Sequence, residues 1–492
     1  MTIGTVTDAA LGGGDVVLFV LLAIARAFAK YGVKLHFVHV FSCECVPKLQ
    51  DWLIGLFAEV GATVSLGDGC LFERAEHMGA NAAKCRKHGG RCCTIPDADL
   101  VIAGTSCKDF SKALGTSAKV KQHVLDNSTS TGGSAQTFHG LISYLMNHVV
   151  TMLLFENVDT LDEGGDDNDS TSSGMAVHTA LNSVCDAFEE AALRTLVMLS
   201  DAAEFGLPTV RLRYYILAVN PLSPLFKPGA REVLKDSFKL VLDLVKLCQR
   251  EPPDVRDVLY DEADDSVDAE MARRMTAGTR LGEYNVGSSI IQHSASNMRW
   301  GDTSRLPRTT KQSPWYKTLC PTQRNALAFS FAEKPLPIMR EISQSISRVR
   351  YSKKRSAPDQ PDKEIACCMM PQQCMWLYGD GKLGRLMLGR EGLIIQGYPV
   401  ASVPCLVEKT AEGTMMSIAG NMMASTVPLA IVMAAFAALP WADSSAAPLT
   451  TTEDQCDDAL KVFDLVHGQA STSAGTPSDP PRNKKRCKVV QL

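Results

Sequence analysis

The feature that most constrains this chain is a recurring pattern over about its first 220 residues. Short apolar runs alternate with stretches of helical periodicity. Residues 2–6, 34–41, 62–66, 100–103, 152–155 and 214–219 read as strands, rich in β-branched and aromatic side chains. Residues 16–30 and 52–60 read as helices. Several of the strand-like runs are apolar at nearly every position, so they have no face to offer water. Strands of that kind belong to a parallel sheet covered by helices on both sides. The chain has 492 residues, room for roughly two to four domains, so this unit is only part of it.

Open α/β sheets bind ligands just outside the carboxyl ends of their strands. The residues following each apolar run are therefore the candidates for chemistry. After 100–103 comes Gly104-Thr-Ser-Cys107, a loop of small residues that leaves a thiol within reach of a substrate. Residues 152–155 lead into Glu156-Asn157-Val158, a carboxylate and an amide at a strand end. The last strand opens with Pro208-Thr-Val-Arg211-Leu-Arg213, whose period of two puts both arginines on one face. Singly, each string has a plain structural explanation: a buried thiol, a solvated acid, an edge strand with exposed arginines.

Together, in this order, the three strings resemble the C5-cytosine DNA methyltransferase family, with its Pro-Cys-Gln loop, its Glu-Asn-Val and its Gln-x-Arg-x-Arg strand. Two later strings extend the resemblance. Gly389-Arg-Glu-Gly-Leu-Ile-Ile-Gln-Gly-Tyr-Pro399 is similar to the family's Arg-Glu…Gln-Gly-Phe-Pro segment, and Gly420-Asn421…Val427-Pro428 to its closing Gly-Asn…Val-Pro helix. The resemblance implies an α/β chain: a Rossmann-like class I S-adenosylmethionine-dependent methyltransferase fold with an inserted, variable target-recognition domain. Residues 1–221 would form the first part of the catalytic domain and 222–388 the recognition domain. Residues 389–441 would return to the catalytic domain, leaving 442–492 as a mostly disordered tail with a basic cluster.

The implied activity is that of a DNA (cytosine-5)-methyltransferase. A cytosine is flipped out of double-stranded DNA, Cys107 adds to C6, and a methyl group moves from S-adenosylmethionine to C5. On the same resemblance Glu156 contacts N3 and the 4-amino group, and Asn157 shapes the loop. Arg211 and Arg213 hold the base carbonyl and a phosphate and favour the Cys107 thiolate. Gly12, Gly13 and Gly14 stand in for the cofactor's glycine loop, Glu44 for the acid on the ribose hydroxyls and Asp68 for the acid near the adenine. Asn421 belongs to the closing motif. The chain departs from the pattern at Ser106 (Pro in the family), at Lys108 and Thr209 (Gln in the family), and at Ala10-Leu-Gly-Gly-Gly-Asp15, which replaces Phe-x-Gly-x-Gly. A tRNA cytosine-5 methyltransferase carries the same residues, and a catalytically inactive nucleic-acid-binding member would keep the fold. Both remain open alternatives.

The net charge of -4, from 50 Lys and Arg against 54 Asp and Glu, argues against a nucleic-acid partner only as an average. Acid collects in 162–169 and 251–270. Base collects in 299–355, where 13 Lys and Arg face only Asp302, Glu333 and Glu341. That segment also holds Trp300, Trp315, Tyr316, Phe329, Phe331 and Tyr351. Cations suit phosphates and aromatics suit bases, so it is the expected nucleic-acid face. Lys353-Lys-Arg355 and Lys484-Lys-Arg486 are candidate import signals, giving a nuclear expectation. The 16 cysteines include no Cys-x-x-Cys pair and read as reduced thiols; Cys367, Cys368 and Cys374 lack a fourth ligand, and no metal is expected. Residues 427–441 are apolar but short of the ~20 that span a bilayer, so no membrane association is expected.

Overall fold

The computed structural model describes residues 2–7, 14–61, 69–107, 109–110, 125, 133–162, 179–277, 301–334, 337–343, 349–356, 361–378 and 384–442. Nine strands form one sheet: β1 (Thr2–Thr7), β2 (Val38–Cys43), β3 (Cys70–Phe72), β4 (Ala82–Cys85), β5 (Arg91–Thr94), β6 (Leu100–Gly104), β7 (Met152–Val158), β8 (Arg194–Asp201) and β9 (Leu212–Val219). Their order is β5-β4-β3-β2-β1-β6-β7-β9-β8. Strands β3, β2, β1, β6 and β7 run parallel, and β9 is antiparallel to both β7 and β8. This is the Rossmann-like class I methyltransferase arrangement expected from the sequence, with an antiparallel β4–β5 hairpin added beyond β3. The order of the parallel strands reverses between β1 and β6, which marks the topological switch point.

Strict alternation explains why the strand runs are apolar throughout. Leu100, Ile102, Met152, Leu154, Leu217 and Val219 face one core; Val101, Ala103, Leu153, Phe155, Ile216 and Ala218 face the other. The first core is covered by the helices Gly14–Lys30, Pro47–Gly61, Ala230–Leu247 and Thr426–Ala438, the second by Gly133–Asn147 and Ala180–Glu190. Thr426–Ala438 is apolar all round because it is buried all round. Leu429, Ile431 and Val432 are each almost fully enclosed, and burial of such a side chain is worth about 1.5–3 kcal/mol. Among the described residues no single helix is long and apolar enough to cross a membrane.

Three features go beyond what the sequence indicated. The strand after β2 forms at Cys70–Phe72, fixed by the pairs Phe41–Cys70 and Cys43–Phe72, whereas 62–68 lie outside the described residues. The helix Ala230–Leu247, assigned to the recognition domain on sequence, buries Leu234, Val241, Leu244 and Val245 in the catalytic core against Thr426–Ala438. Cys70, Cys85, His88 and Cys93, none of them in a Cys-x-x-Cys pair, converge at the β3–β5 edge.

The inserted unit has its own core around Leu306, Trp315, Leu327, Phe331 and Trp376. It carries a three-stranded antiparallel sheet (Met339–Glu341, Met375–Leu377, Arg385–Leu386) and the two-stranded ladder Lys353–Arg355 with Lys363–Ile365. Backbone pairing stitches it to the arginine strand: Val210 N–H donates to Ala366 O at 2.9 Å and Ala366 N–H to Pro208 O at 2.8 Å. Trp315 and Phe331 are core residues, not a stacking platform. Arg340 is also interior: its guanidinium lies 3.9 Å over the Phe331 ring, and Nη1 donates to Ser330 O at 3.1 Å. Among the described residues the cations of this segment that face solvent are Arg305, Arg308, Lys311, Lys317, Lys334, Lys353 and Lys354; Arg299, Trp300, Arg348 and the tail with Lys484-Lys-Arg486 lie outside the described residues.

Candidate active site

Strand register assembles the site. Gly104 at the end of β6 pairs with Glu156 on β7, Glu156 pairs with Tyr215 on β9, and Val158 pairs with Arg213. Alternation then puts Glu156, Arg213 and Tyr215 on one face of the sheet. The loop after β6 is held from two sides. Ser106 N–H donates to Thr137 Oγ1 at 3.2 Å, and Asp109 and Ser134 each donate a backbone N–H to the other's side chain at 3.1 Å. Asn157 Nδ2 donates to Thr105 Oγ1 at 3.3 Å, while its Oδ1 accepts the Val158 N–H at 2.8 Å. These bonds fix the start of the loop without the proline that Ser106 replaces. Lys108 and 111–124 lie outside the described residues.

Glu156 is fully buried and its Oε1 lies 3.2 Å from Arg213 Nε. Burial pushes its carboxyl above the usual carboxylate range, against the opposing pull of Arg213 and Arg211. A carboxyl so placed is suited to holding a proton for a ring nitrogen. Cys107 is half-buried. Its thiol is also pushed up, first by burial and further by Glu156, with Arg213 and Arg211 pulling the other way. The arginines therefore moderate the shift without reversing its direction.

Arg211 does something the sequence did not suggest. It is completely buried, and its Nη1 donates to Met369 O in the insert and to Gly420 O in the helix Glu412–Asn421, both at 3.3 Å. Its backbone N–H is fixed by Asp201 Oδ1 at 2.7 Å. Arg211 thus ties the sheet, the insert and the closing helix together, while its Nε and Nη2 donate to no group among the described residues. Cys368 is a second residue that sequence reasoning missed. Its Sγ lies 3.7 Å from Arg213 Nη2. Burial opposes its ionisation, but Arg213, Arg211 and Arg350 outweigh burial and hold this thiol below the ordinary range. Tyr215 is a third, and the signal that could have found it is the period of two that it continues from Arg211 and Arg213.

The cofactor candidates separate. Glu44 follows β2, is fully buried, donates its N–H to Phe72 O at 3.0 Å and accepts the Val46 N–H on Oε1 at 2.8 Å. The pair Val6–Cys43 brings it beside the end of β1. Asn421 closes the helix Glu412–Asn421, is buried, and its Oδ1 accepts no hydrogen bond from the described residues. A buried acid at the end of β2 and a buried amide with an open acceptor fit a polar nucleoside such as that of S-adenosylmethionine. Gly14 begins the helix Gly14–Lys30, whereas Gly12, Gly13 and Asp68 lie outside the described residues. Asp68 precedes β3; the acid that follows β3 is Glu73, which is half-buried.

DNA (cytosine-5-)-methyltransferase DMT5 of Cryptococcus neoformans var. grubii is 23% identical over 455 residues, or 86% of this chain. The chain spans 16% of the length of that protein. Among solved structures, S. pombe Dnmt2 methyltransferase aligns over 88% of this chain and 98% of its own, with 12% identity and a TM-score of 0.42. The Entamoeba histolytica methyltransferase EhMeth aligns over 89% and 98%, with 8% identity and a TM-score of 0.42. The model of one family, described as C-5 cytosine-specific DNA methylase, matches residues 73–434, taking in Cys107, Glu156, both arginines and the closing motifs, and the chain belongs to that family.

Proposed function

We propose that this chain is an S-adenosylmethionine-dependent DNA (cytosine-5)-methyltransferase acting through a covalent bond between Cys107 and C6 of a flipped-out cytosine. The observation that carries the reading is the meeting of Cys107, a raised and fully buried Glu156, and Arg213 at the ends of adjacent strands. The Cys107 sulfur, once deprotonated, attacks C6; the C5–C6 π electrons move toward C5 as Glu156 gives its proton to N3. When bound, S-adenosylmethionine supplies the electrophilic methyl group. Loss of the C5 proton to a base then expels the Cys107 sulfur, reforms the C5–C6 double bond and lets the N3 proton return to Glu156. Arg211 keeps Nε and Nη2 for the base carbonyl or a phosphate, and the solvent-facing cations of the insert meet the backbone.

A tRNA substrate is the second reading: Cys107, Glu156 and Arg213 address the base and not the sugar, so the same groups serve either nucleic acid. The test supplies methyl-labelled S-adenosylmethionine with duplex DNA or with tRNA and measures methylated nucleosides by mass spectrometry. The proposal expects 5-methyldeoxycytidine, abolished in Cys107→Ala with folding retained. Product in tRNA alone overturns the DNA assignment, and no product in either leaves a non-catalytic binding member of the family.

A further inference from the structure

The β4–β5 hairpin is poorly supported by packing. Among the described residues its only register pair with the rest of the sheet is Phe72–Cys85. On β4 the side chains of Ala83 and Cys85 are buried, while on β5 Arg91, Cys92 and Thr94 are exposed and Cys93 is half-buried. Two-stranded hairpins with so little apolar cover are marginal in water, and β5 is moreover a sheet edge. Ala83, Cys85 and Cys93 give it only a thin contact with the second core, which a further tie would reinforce.

We propose that Cys70, Cys85, His88 and Cys93 bind one zinc ion, clamping the hairpin to β3. Their ligand atoms all lie within 4.8 Å of one another. His88 Nδ1 stands 3.2 Å from Cys85 Sγ, 3.4 Å from Cys93 Sγ and 3.6 Å from Cys70 Sγ. A tetrahedral zinc ion with Zn–S of about 2.3 Å and Zn–N of about 2.0–2.1 Å separates sulfur from nitrogen by about 3.5 Å. The three observed separations bracket that value, so the ion needs no rearrangement of the ring and only small movements of the sulfurs.

The backbone is arranged as such a site requires. Leu71 N–H donates to Cys85 Sγ at 3.3 Å, a bond that favours a thiolate. The turn after Cys85 closes with Gly90 N–H to Cys85 O at 2.9 Å, and Gly89 and Gly90 hold φ of +69° and +77°, the left-handed region open to glycine. His88 follows Cys85 by three positions and Cys93 follows His88 by five, a local knuckle completed by Cys70 from β3. Each ligand comes from a different piece: β3, the end of β4, the turn and β5. Binding displaces three thiol protons to solvent and leaves a site charge of −1, beside the cations Arg86, Lys87 and Arg91. The clamp also steadies the cofactor side of the sheet, because Phe72, two residues beyond Cys70, accepts the Glu44 N–H.

The full chain, purified without chelators, is tested by elemental analysis for bound metal. The expected content is one zinc per chain, falling at least tenfold in Cys85→Ser and in Cys93→Ser. Cys92→Ser, an exposed neighbour on the same strand, keeps its metal. Where a variant fails to fold, the wild-type chain is stripped and reloaded with cobalt(II), and the expected spectrum combines tetrahedral d–d bands with thiolate charge transfer. Hydrogen exchange over residues 82–94 should speed up on stripping while β6 and β7 stay protected. Metal-free protein with no cobalt spectrum overturns the proposal, as does loss of metal in Cys92→Ser equal to that in Cys93→Ser. A disulfide among Cys70, Cys85 and Cys93 in the protein as purified overturns it as well.

Discussion

Replacing Gly420 with alanine is a change that helix propensity favours by about 1 kcal/mol and that this packing forbids. Gly420 is buried in the helix Glu412–Asn421. A Cβ there would sit 2.1 Å from the Met370 carbonyl carbon and 2.1 Å from the Pro371 nitrogen, both backbone atoms, where ordinary contact begins near 3.4 Å. The helix or the facing segment must retreat by about 1 Å. That segment supplies Met369 O, which shares Arg211 Nη1 with Gly420 O, and Cys368, which sits against Arg213. Overpacking costs about 1–3 kcal/mol, and stretching two hydrogen bonds from a cation adds about 1 kcal/mol. After the gain in propensity the net loss is about 1–3 kcal/mol, a fall in Tm of several degrees. A displacement of about 1 Å at the rim of the site lowers the methyl-transfer rate on the order of 10²-fold. Thermal denaturation and the methylation assay, run on the same preparation, read both. A variant about 1 kcal/mol more stable than the parent with an unchanged rate would refute the closure of this helix onto the insert.

Glu156→Gln should lower the methylation rate about 10²–10⁴-fold with DNA affinity retained; a full rate removes Glu156 from the mechanism. The same substitution has a signature in stability. A carboxyl raised by burial binds its proton more tightly in the folded than in the unfolded chain, so it adds stability at low pH that is lost as pH rises through its folded value. The parent should therefore lose stability relative to Glu156→Gln as pH climbs from about 4 toward neutrality, and a pH-independent difference would contradict the assigned burial. Because burial raises the Cys107 thiol, the methylation rate should increase with pH on the alkaline side of neutrality, and a flat profile there would show that ionisation of Cys107 is not limiting. Joint replacement of Arg308, Lys311, Lys353 and Lys354 by alanine should flatten the dependence of log affinity on log salt, by up to about 0.9 for each phosphate no longer neutralised. An unchanged slope moves the nucleic-acid face elsewhere.

The sheet was readable because its central strands carry apolar side chains on both faces, a pattern that only a doubly covered strand satisfies. Cys107, Glu156, Asn157, Arg211 and Arg213 stood out as candidates because each lies within a few residues of such a strand, and their roles came from the family resemblance. Residues whose role comes from neighbours distant in sequence were not readable in this way. Cys368 meets Arg213 across 155 positions, and the bonds of Arg211 to Met369 and Gly420 join three separate stretches of chain. The Cys70–Cys93 cluster escaped because its ligands sit on three strands and a turn instead of one short spacing. Charge and aromaticity also mislead where they are interior: Trp315, Phe331 and Arg340 have the composition of a nucleic-acid surface and the burial of a core. Amphipathicity showed the helix Ala230–Leu247 as a helix but not which core takes its apolar face.

The most direct test of the central claim is a duplex oligonucleotide bearing 5-fluorodeoxycytidine, incubated with the full chain and S-adenosylmethionine. Fluorine at C5 blocks the proton loss that releases the enzyme, so the sulfur–C6 bond persists through denaturation. The account predicts a complex that requires S-adenosylmethionine, maps to the peptide containing Cys107 and disappears in Cys107→Ser. A stable complex mapped to Cys368, or none at all from a chain that binds the duplex, would contradict it.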